Sequence, residues 1–325
     1  MKYLYVLVSG EKDYYTEQAF ISISTLKFHD SKAFISLLVD TNTKNYIEKE
    51  FVNLLSMVNE IKVVDLGDIQ NKEKSRLLKT SMREYIDGDF LFLDCDTVIC
   101  SDLSIIEEQG ISDISAVLDN HVLMPKHTFQ KNIIMNYKRC GFTELIDKDY
   151  HYNSGVIYCR DNEITRKFFS DWHEYWLKGR EAGVLIDQPS FNYANLKNKE
   201  LIQEIPGTWN CQIIHGGIKY LSSAKVLHYF SSINNKYGNP FLINNKEVFE
   251  EVRRIKSIPD YVNNIIYTDA KSLFEENCTL YGNNVPRTVI YQAPVRELIW
   301  LSKNRPKLYF LFKVLFSLME KIHEK

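Results

Sequence analysis

A chain of 325 residues, 45% of them hydrophobic and 25% charged, has the composition of a globular protein long enough for one elaborated domain or two. A formal net charge of −2 argues against a general nucleic-acid binder; six cysteines without a CxxC pair argue against structural zinc and point to a reduced, cytoplasmic compartment. The amino terminus enters a strand-like stretch with no signal-peptide pattern, and no apolar run reaches the roughly 18–20 residues that a membrane-spanning helix needs.

Residues 4–8 form an apolar run that stops at Ser9-Gly10, before the polar turn Glu11-Lys12-Asp13. Helical spacing follows over 16–28 through Phe20, Ile23 and Phe28. A second apolar run, 33–39, ends at Asp40, and 46–58 repeats the helical pattern with Ile47, Phe51, Leu54 and Val58. A strand over 61–64, a helix over 75–86 and a strand over 90–93 complete the series. This alternation predicts an α/β fold with a mostly parallel central sheet, helices on both faces and a nucleotide site. Neither GxGxxG nor GxxxxGK[ST] occurs, so the dinucleotide fingerprint and the P-loop are both absent. Further strands are predicted over 116–118 and 156–158, helices over 164–177 and 189–196, and a last strand over 224–229 carrying His228. Residues 231–300 show no clear pattern. Residues 308–319 are almost wholly apolar, are interrupted by Lys313 and follow Lys303, Arg305 and Lys307. Such a helix either lies in a membrane surface or packs on protein, against the core or in a homo-oligomer.

The run 90–93 leads straight into Asp94-Cys95-Asp96. A buried strand that ends in two carboxylates puts them at the carboxyl edge of a sheet, where open α/β folds bind ligands. Hard divalent ions such as Mg²⁺ or Mn²⁺ are held by one or two carboxylates together with substrate phosphates, so Asp94 and Asp96 are metal candidates. An acidic turn is the plainer alternative. His228, at a strand end, supplies a nitrogen that borderline metals accept, although a lone strand histidine is more often a core residue. Asn153-Ser154-Gly155 reads as a tight turn before the 156–158 strand, able to offer its amide to a hydroxylated ligand or only to shape the chain. Asp187-Gln188 precedes Pro189 and a helix, and reads either as a cap or as an acid and an amide gripping sugar hydroxyls. Lys79, in the helix before the acidic strand, can offset phosphate charge.

Taken in order, these motifs resemble the GT-A glycosyltransferases of family 8, which include glycogenin and the bacterial lipooligosaccharide galactosyltransferases. The resemblance covers residues 1–230 and rests on Leu-Val-Ser-Gly-Glu-Lys-Asp-Tyr-Tyr at 7–15, Lys79, Phe-Leu-Asp-Cys-Asp at 92–96, Asn153-Ser-Gly, Asp187-Gln188 and Leu-His-Tyr-Phe at 227–230. It implies a nucleotide-sugar-binding catalytic domain over 1–230, with Mn²⁺ (or Mg²⁺) on Asp94, Asp96 and His228. It also implies a UDP site with Ser9 and Tyr14 at the uracil, Gly10 among the donor-nucleotide contacts, the Cys95 backbone near the ribose, and Lys79 toward the phosphates. Asn153, Asp187, Gln188 and Asp119 would line the transferred sugar. The family usually closes the diphosphate with Lys-Pro-Trp after the metal histidine; here the run is His228-Tyr-Phe-Ser-Ser-Ile-Asn-Asn-Lys236, which leaves Lys236 as the substitute. His215 competes with His228 as metal ligand.

The implied function is Mn²⁺-dependent, retaining transfer of a hexose from UDP-galactose or UDP-glucose to a glycan or glycolipid, in bacterial surface polysaccharide or lipooligosaccharide synthesis. Retention by a covalent intermediate needs a carboxylate beneath the anomeric carbon. The family position nearest that face is Gln188, an amide, so same-face internal return is expected, with Asp187 orienting the sugar. Residues 231–300 would form the acceptor side, and 301–325 a basic, apolar helix for peripheral membrane contact. Two other readings use the same residues. Asp94-Cys-Asp96-Thr-Val98 also fits the nucleophile motif of haloacid-dehalogenase-type phosphatases, and the missing Lys-Pro-Trp fits a non-catalytic nucleotide-sugar-binding protein.

Overall fold

The computed structural model describes residues 1–109, 112–230, 242–272 and 293–323. The early alternation folds as read: β1 (Lys2–Leu7), α1 (Tyr15–His29), β2 (Ile35–Asp40), α2 (Thr41–Glu50), α3 (Val52–Met57), β3 (Glu60–Val64), α4 (Asn71–Tyr85) and β4 (Phe90–Leu93). The expected single helix over 46–58 is two. Asp40 caps α2 by accepting the Thr43 N–H at 3.0 Å, and the chain breaks at Phe51 (φ −136°, ψ 50°), whose ring enters the core.

Beyond the acidic turn come β5 (Thr97–Ile99), β6 (Ile114–Leu118), α5 (Gln130–Cys140), β7 (Tyr152–Cys159), α6 (Glu163–Glu181), α7 (Gln188–Lys197), β8 (Ile202–Glu204), β9 (Cys211–Gln212) and β10 (Val226–His228). The main sheet has seven strands in the order β3-β2-β1-β4-β7-β6-β8. All run parallel except β7, which is antiparallel to both β4 and β6. Every residue of β7 is buried, as a strand covered on both faces requires. Asn153-Ser154-Gly155 is not a turn before a strand but part of β7, where the register against β6 jumps between Ala116 and Val117.

A second sheet, β5-β10-β9, places the site. β5 leaves the acidic turn directly, and β10 returns to pair with it antiparallel, His228 opposite Thr97. Two apolar cores sandwich the main sheet, one under α1 and the small sheet, the other under α4, α6 and α7.

The remaining helices are α8 (Lys246–Ile255), α9 (Asp260–Asp269), α10 (Ala293–Asn304) and α11 (Pro306–His323). Val248, Phe249, Val252 and Ile266 join the core beneath α1, and Arg253 binds the Glu11 carbonyl at 2.7 Å and the Glu17 carboxylate. This part of the expected acceptor region therefore lies against the β1–α1 loop. Leu308, Phe310, Leu311 and Phe316 of α11 are exposed. Among the described residues, no helix is long and apolar enough to cross a membrane.

Candidate active site

Asp94 and Asp96 reach one point because the chain turns off β4 between them. The Asp94 N–H donates to the Gly155 carbonyl at 2.8 Å, and the Tyr229 N–H donates to the Asp96 carbonyl at 3.1 Å. These bonds tie the turn to the reversed strand β7 on one side and to the end of β10 on the other. The result is that ligating atoms of Asp94, Asp96 and His228 lie within 4.8 Å of one another.

The chemistry of this donor set fits a divalent cation. His228 Nδ1 lies 2.9 Å from the side-chain oxygen of Asn210, which can only accept, so Nδ1 carries a proton and Nε2 is the nitrogen turned toward the two carboxylates. That Nε2 faces Asp96 Oδ1 at 3.2 Å. Two carboxylates and an imidazole nitrogen converging in this way suit a borderline or hard metal ion. The ring is closely packed. Phe230 stacks on it at 4.1 Å with 16° between planes, from a left-handed backbone (φ 51°). A Cβ at Gly155 would come 2.4 Å from His228 Cε1, so only glycine fits there. His215 stands apart: its ring packs edge-on against Phe129 and Phe230, outside the ligand cluster.

Behind His228 runs a chain of hydrogen bonds in which every role is determined. Asn210 donates to Asn153 Oδ1 at 2.9 Å, Asn153 donates to Asp119 Oδ1 at 2.8 Å, and His127 Nε2 lies 2.9 Å from Asp119 Oδ2. His127 Nδ1 accepts the Phe129 N–H at 3.0 Å, so its Nε2 is the donor. Burial raises the Asp119 carboxyl, but the bonds from His127 and Asn153 and the nearby His151 together outweigh it and hold the group well below the usual carboxylate range.

The opposite wall is charged. Lys79, nearly fully buried, sits 3.0 Å from Asp94 Oδ1 and 3.5 Å from Asp187 Oδ2. Arg76, one turn earlier on α4, pairs with Asp187 Oδ1 at 3.0 Å, and Ser154 Oγ donates to Asp187 Oδ2 at 2.7 Å. Burial raises the Asp187 carboxyl, yet Lys79, Arg76 and Ser154 together keep it far below its ordinary value. The Asp187 side chain does not cap α7; it is turned into the site. Gln188 Nε2 meets His151 Nε2 at 3.0 Å, and His151 Nδ1 meets the Tyr137 hydroxyl at 2.6 Å.

These groups open into one cavity of about 670 Å³, lined among others by Tyr15, Arg76, Cys95, Asp119, Asn153 and Gln188. It brings together Lys79, Asp94, Cys95, Asp96, Asp119, Asn153, Asp187, Gln188 and His228 as expected from the sequence. Three expected nucleotide residues take other places. Ser9 is buried, its hydroxyl donating to Asp13 at 2.5 Å and accepting the Thr16 N–H at 3.1 Å, so it shapes the β1–α1 loop. Gly10 donates to Asp13 in the same loop. Tyr14 stacks on Phe249 at 5.6 Å beneath Arg253, and its neighbour Tyr15 lines the cavity instead. Lys236 lies outside the described residues. Sequence reasoning missed Arg76, His127, His151 and Asn210. Only Arg76 left a signal, its i,i+3 spacing to Lys79 on one helix face.

No curated protein sequence matches the chain. Among solved structures, the apo bifunctional glycosyltransferase WbbM superposes with a TM-score of 0.53 at 16% identity, over 82% of this chain and 51% of that one, so the chain spans about half of that protein. The galactosyltransferase LgtC, in complex with donor and acceptor sugar analogs, superposes with a TM-score of 0.50 at 15% identity, over 81% of this chain and 99% of that one. At such identity these likenesses speak for the fold. The family model for nucleotide-diphospho-sugar transferases matches residues 69–246, from just before α4 to the start of α8. The chain belongs to the nucleotide-diphospho-sugar transferase family and is a glycosyltransferase of GT-A fold.

Proposed function

We propose that the chain moves a hexose from a UDP-sugar, UDP-galactose or UDP-glucose, to a glycan or glycolipid acceptor with retention of anomeric configuration. The convergence of Asp94, Asp96 and His228 at the mouth of a cavity that also receives Asn153, Asp187 and Gln188 carries this reading. Asp94, Asp96 and His228 would hold Mn²⁺ (or Mg²⁺), which when bound stabilises the charge that develops on the departing diphosphate. Tyr15, half-exposed on the cavity wall, replaces Tyr14 as the ring for the uracil, with the Cys95 backbone near the ribose. Lys79 and Arg76 set positive charge on the same wall, where phosphate would compete for them with Asp94 and Asp187.

Asp119, Asn153, Asp187 and Gln188 grip the sugar. Both oxygens of Asp187 are engaged by Arg76, Lys79 and Ser154, which supports an orienting role over a nucleophilic one. Gln188 is an amide and a poor nucleophile. Together these favour same-face internal return, the departing phosphate taking the acceptor proton. The phosphatase reading is set aside: the family is that of sugar transferases, and Asp94 ends the fourth strand of the main sheet rather than the first. Membership of an enzyme family likewise sets aside the non-catalytic reading. The biological setting is bacterial surface polysaccharide or lipooligosaccharide synthesis. The exposed apolar residues of α11 beside Lys303, Arg305 and Lys307 support contact with the inner face of the cytoplasmic membrane.

A hydrolysis screen across UDP-sugars with and without Mn²⁺ tests this reading. Metal-dependent UDP release from UDP-galactose or UDP-glucose is expected; absence of UDP binding, or release independent of metal, overturns it. Deleting 301–325 should lower co-sedimentation with anionic vesicles and spare hydrolysis, whereas unchanged sedimentation removes the membrane idea and leaves homo-oligomer or core packing for α11.

A further inference from the structure

We infer that His151 is a positioning residue for the sugar-transfer step, fixing which end of the Gln188 amide faces the transferred sugar. The inference rests on the reading above, in which Gln188 stands beside the reacting carbon. Both His151 and Gln188 line the cavity, yet His151 is only 2% exposed, so its ring edge and not its charge is what the site uses.

The donor and acceptor roles follow from chemistry. An amide nitrogen can only donate, so at 3.0 Å from Gln188 Nε2 the His151 Nε2 atom is the acceptor and the ring proton sits on Nδ1. That Nδ1–H donates to the Tyr137 hydroxyl oxygen at 2.6 Å. Burial favours the neutral ring that this pattern needs, pushing the imidazole down to about 4. With its nitrogen bound, Gln188 presents its carbonyl oxygen and its second N–H hydrogen to a ligand. A carbonyl dipole held toward the anomeric centre stabilises the positive charge that glycosyl transfer builds there. An amide free to turn over would present the wrong end part of the time.

The same arrangement ties the reacting centre to α5. Tyr137 is buried on that helix, one turn beyond Ile133, which with Asn132 and Asn136 forms the far wall of the cavity. His127, whose ring meets His151 edge-on at 6.0 Å, anchors Asp119 in a parallel way. Two histidine rings thus brace two cavity-lining side chains from behind.

The experiment compares His151→Leu, His151→Gln and Tyr137→Phe. Glutamine places an acceptor oxygen near the position of Nε2; leucine removes it. Melting temperature and UDP binding in Mn²⁺ by calorimetry are measured first, then turnover of whichever UDP-sugar the wild-type enzyme hydrolyses fastest. Expected are unchanged UDP affinity in all three, a fall in kcat of about 10- to 100-fold in His151→Leu with little change in KM, and recovery of most of kcat in His151→Gln. Tyr137→Phe should lie between. Equal kcat in the leucine and glutamine variants, high or low, overturns the inference while UDP binding persists. If the leucine variant does not fold, the glutamine and phenylalanine variants decide: a tenfold loss in His151→Gln, or none in Tyr137→Phe, has the same force. Failure of the wild-type protein to bind UDP is a different result and falls on the functional proposal.

Discussion

The two walls of the cleft reach the same cavity by different physics. The wall built from α1, α4 and the end of β4 is local: Tyr15, Arg76, Lys79 and Asp94 each sit at the end or on one face of the element that carries them. Its side chains are charged and paired with one another, Lys79 to Asp94 and Arg76 to Asp187. The other wall is assembled at long range. Asn153 arrives on a strand inserted backwards, and His228 on a strand that returns to pair with β5. Its members are mostly amides and imidazoles joined in one hydrogen-bond chain from His127 to His228. Ion pairs exchange partners readily when a charged ligand enters, whereas a chain of bonds with fixed direction holds geometry. One wall is thus suited to receiving charge, the other to holding direction.

The sharpest attempt to break this division removes the carboxylates where the walls meet. Replacing Asp94 and Asp96 by alanine should abolish Mn²⁺-dependent UDP binding and lower turnover by on the order of 100- to 1000-fold. Intact metal-dependent affinity in that double variant, measured by calorimetry, would sink the assignment of the cation site. The orienting wall is tested next. Asn210→Leu leaves all three ligands in place but frees the His228 tautomer, so Mn²⁺ affinity should fall by about 10- to 100-fold. Titration of the metal alone, without nucleotide or turnover, reads this directly. Affinity equal to wild type means that the ring needs no outer partner.

The same division decides what the sequence makes legible. Asp94 and Asp96 stand out because an apolar run ends in them, and Asp187-Gln188 because a proline and a helix follow. Elements on the local wall obey their own periodicity, so their order and most of their bounds can be read. Asn210 ends a four-residue 3-10 turn, Gly207–Asn210, and His151 lies in the loop just before β7; neither has a pattern to betray it. β9 is two residues long, below any periodicity. Tyr14 and Tyr15 are adjacent and chemically alike. Which of them faces the cleft is decided by Phe249 and Arg253, far along the chain, and those contacts take Tyr14 away.

Inside the charged half, one buried pair serves stability and not the ligand. Lys74 Nζ lies 2.9 Å from Asp40 Oδ2 with both side chains almost fully buried, and neither lines the cavity. Burial raises the Asp40 carboxyl, but the Thr43 and Lys74 hydrogen bonds bring it below its ordinary value. Lys74→Met strands that carboxylate, which should cost about 3–5 kcal/mol in denaturant unfolding. UDP affinity of the folded fraction should stay as in wild type. A loss of affinity without loss of stability would show that the pair belongs to the binding wall after all.

Acid sensitivity separates the two walls by their titrating groups. His151 is held neutral by burial, its pKa lowered from 6.5 to about 4, so between those values the unfolded chain takes up a proton that the folded one refuses. Stability therefore falls as pH drops from 6.5 toward 4, by about 3 kcal/mol from this ring alone. Asp119 and Asp187 are depressed in the folded state, so their contribution is intact above the ordinary carboxylate range and is lost only at lower pH. His29 and His173 are also lowered by burial and remain in any His151 variant, leaving a residual slope of the same sign. Unfolding free energies of wild type and His151→Gln, measured from pH 7 to pH 4, should converge as the pH falls, because glutamine has no proton to take. Parallel curves would mean that the ring is protonated in the folded state, and the neutral brace behind Gln188 would go with it.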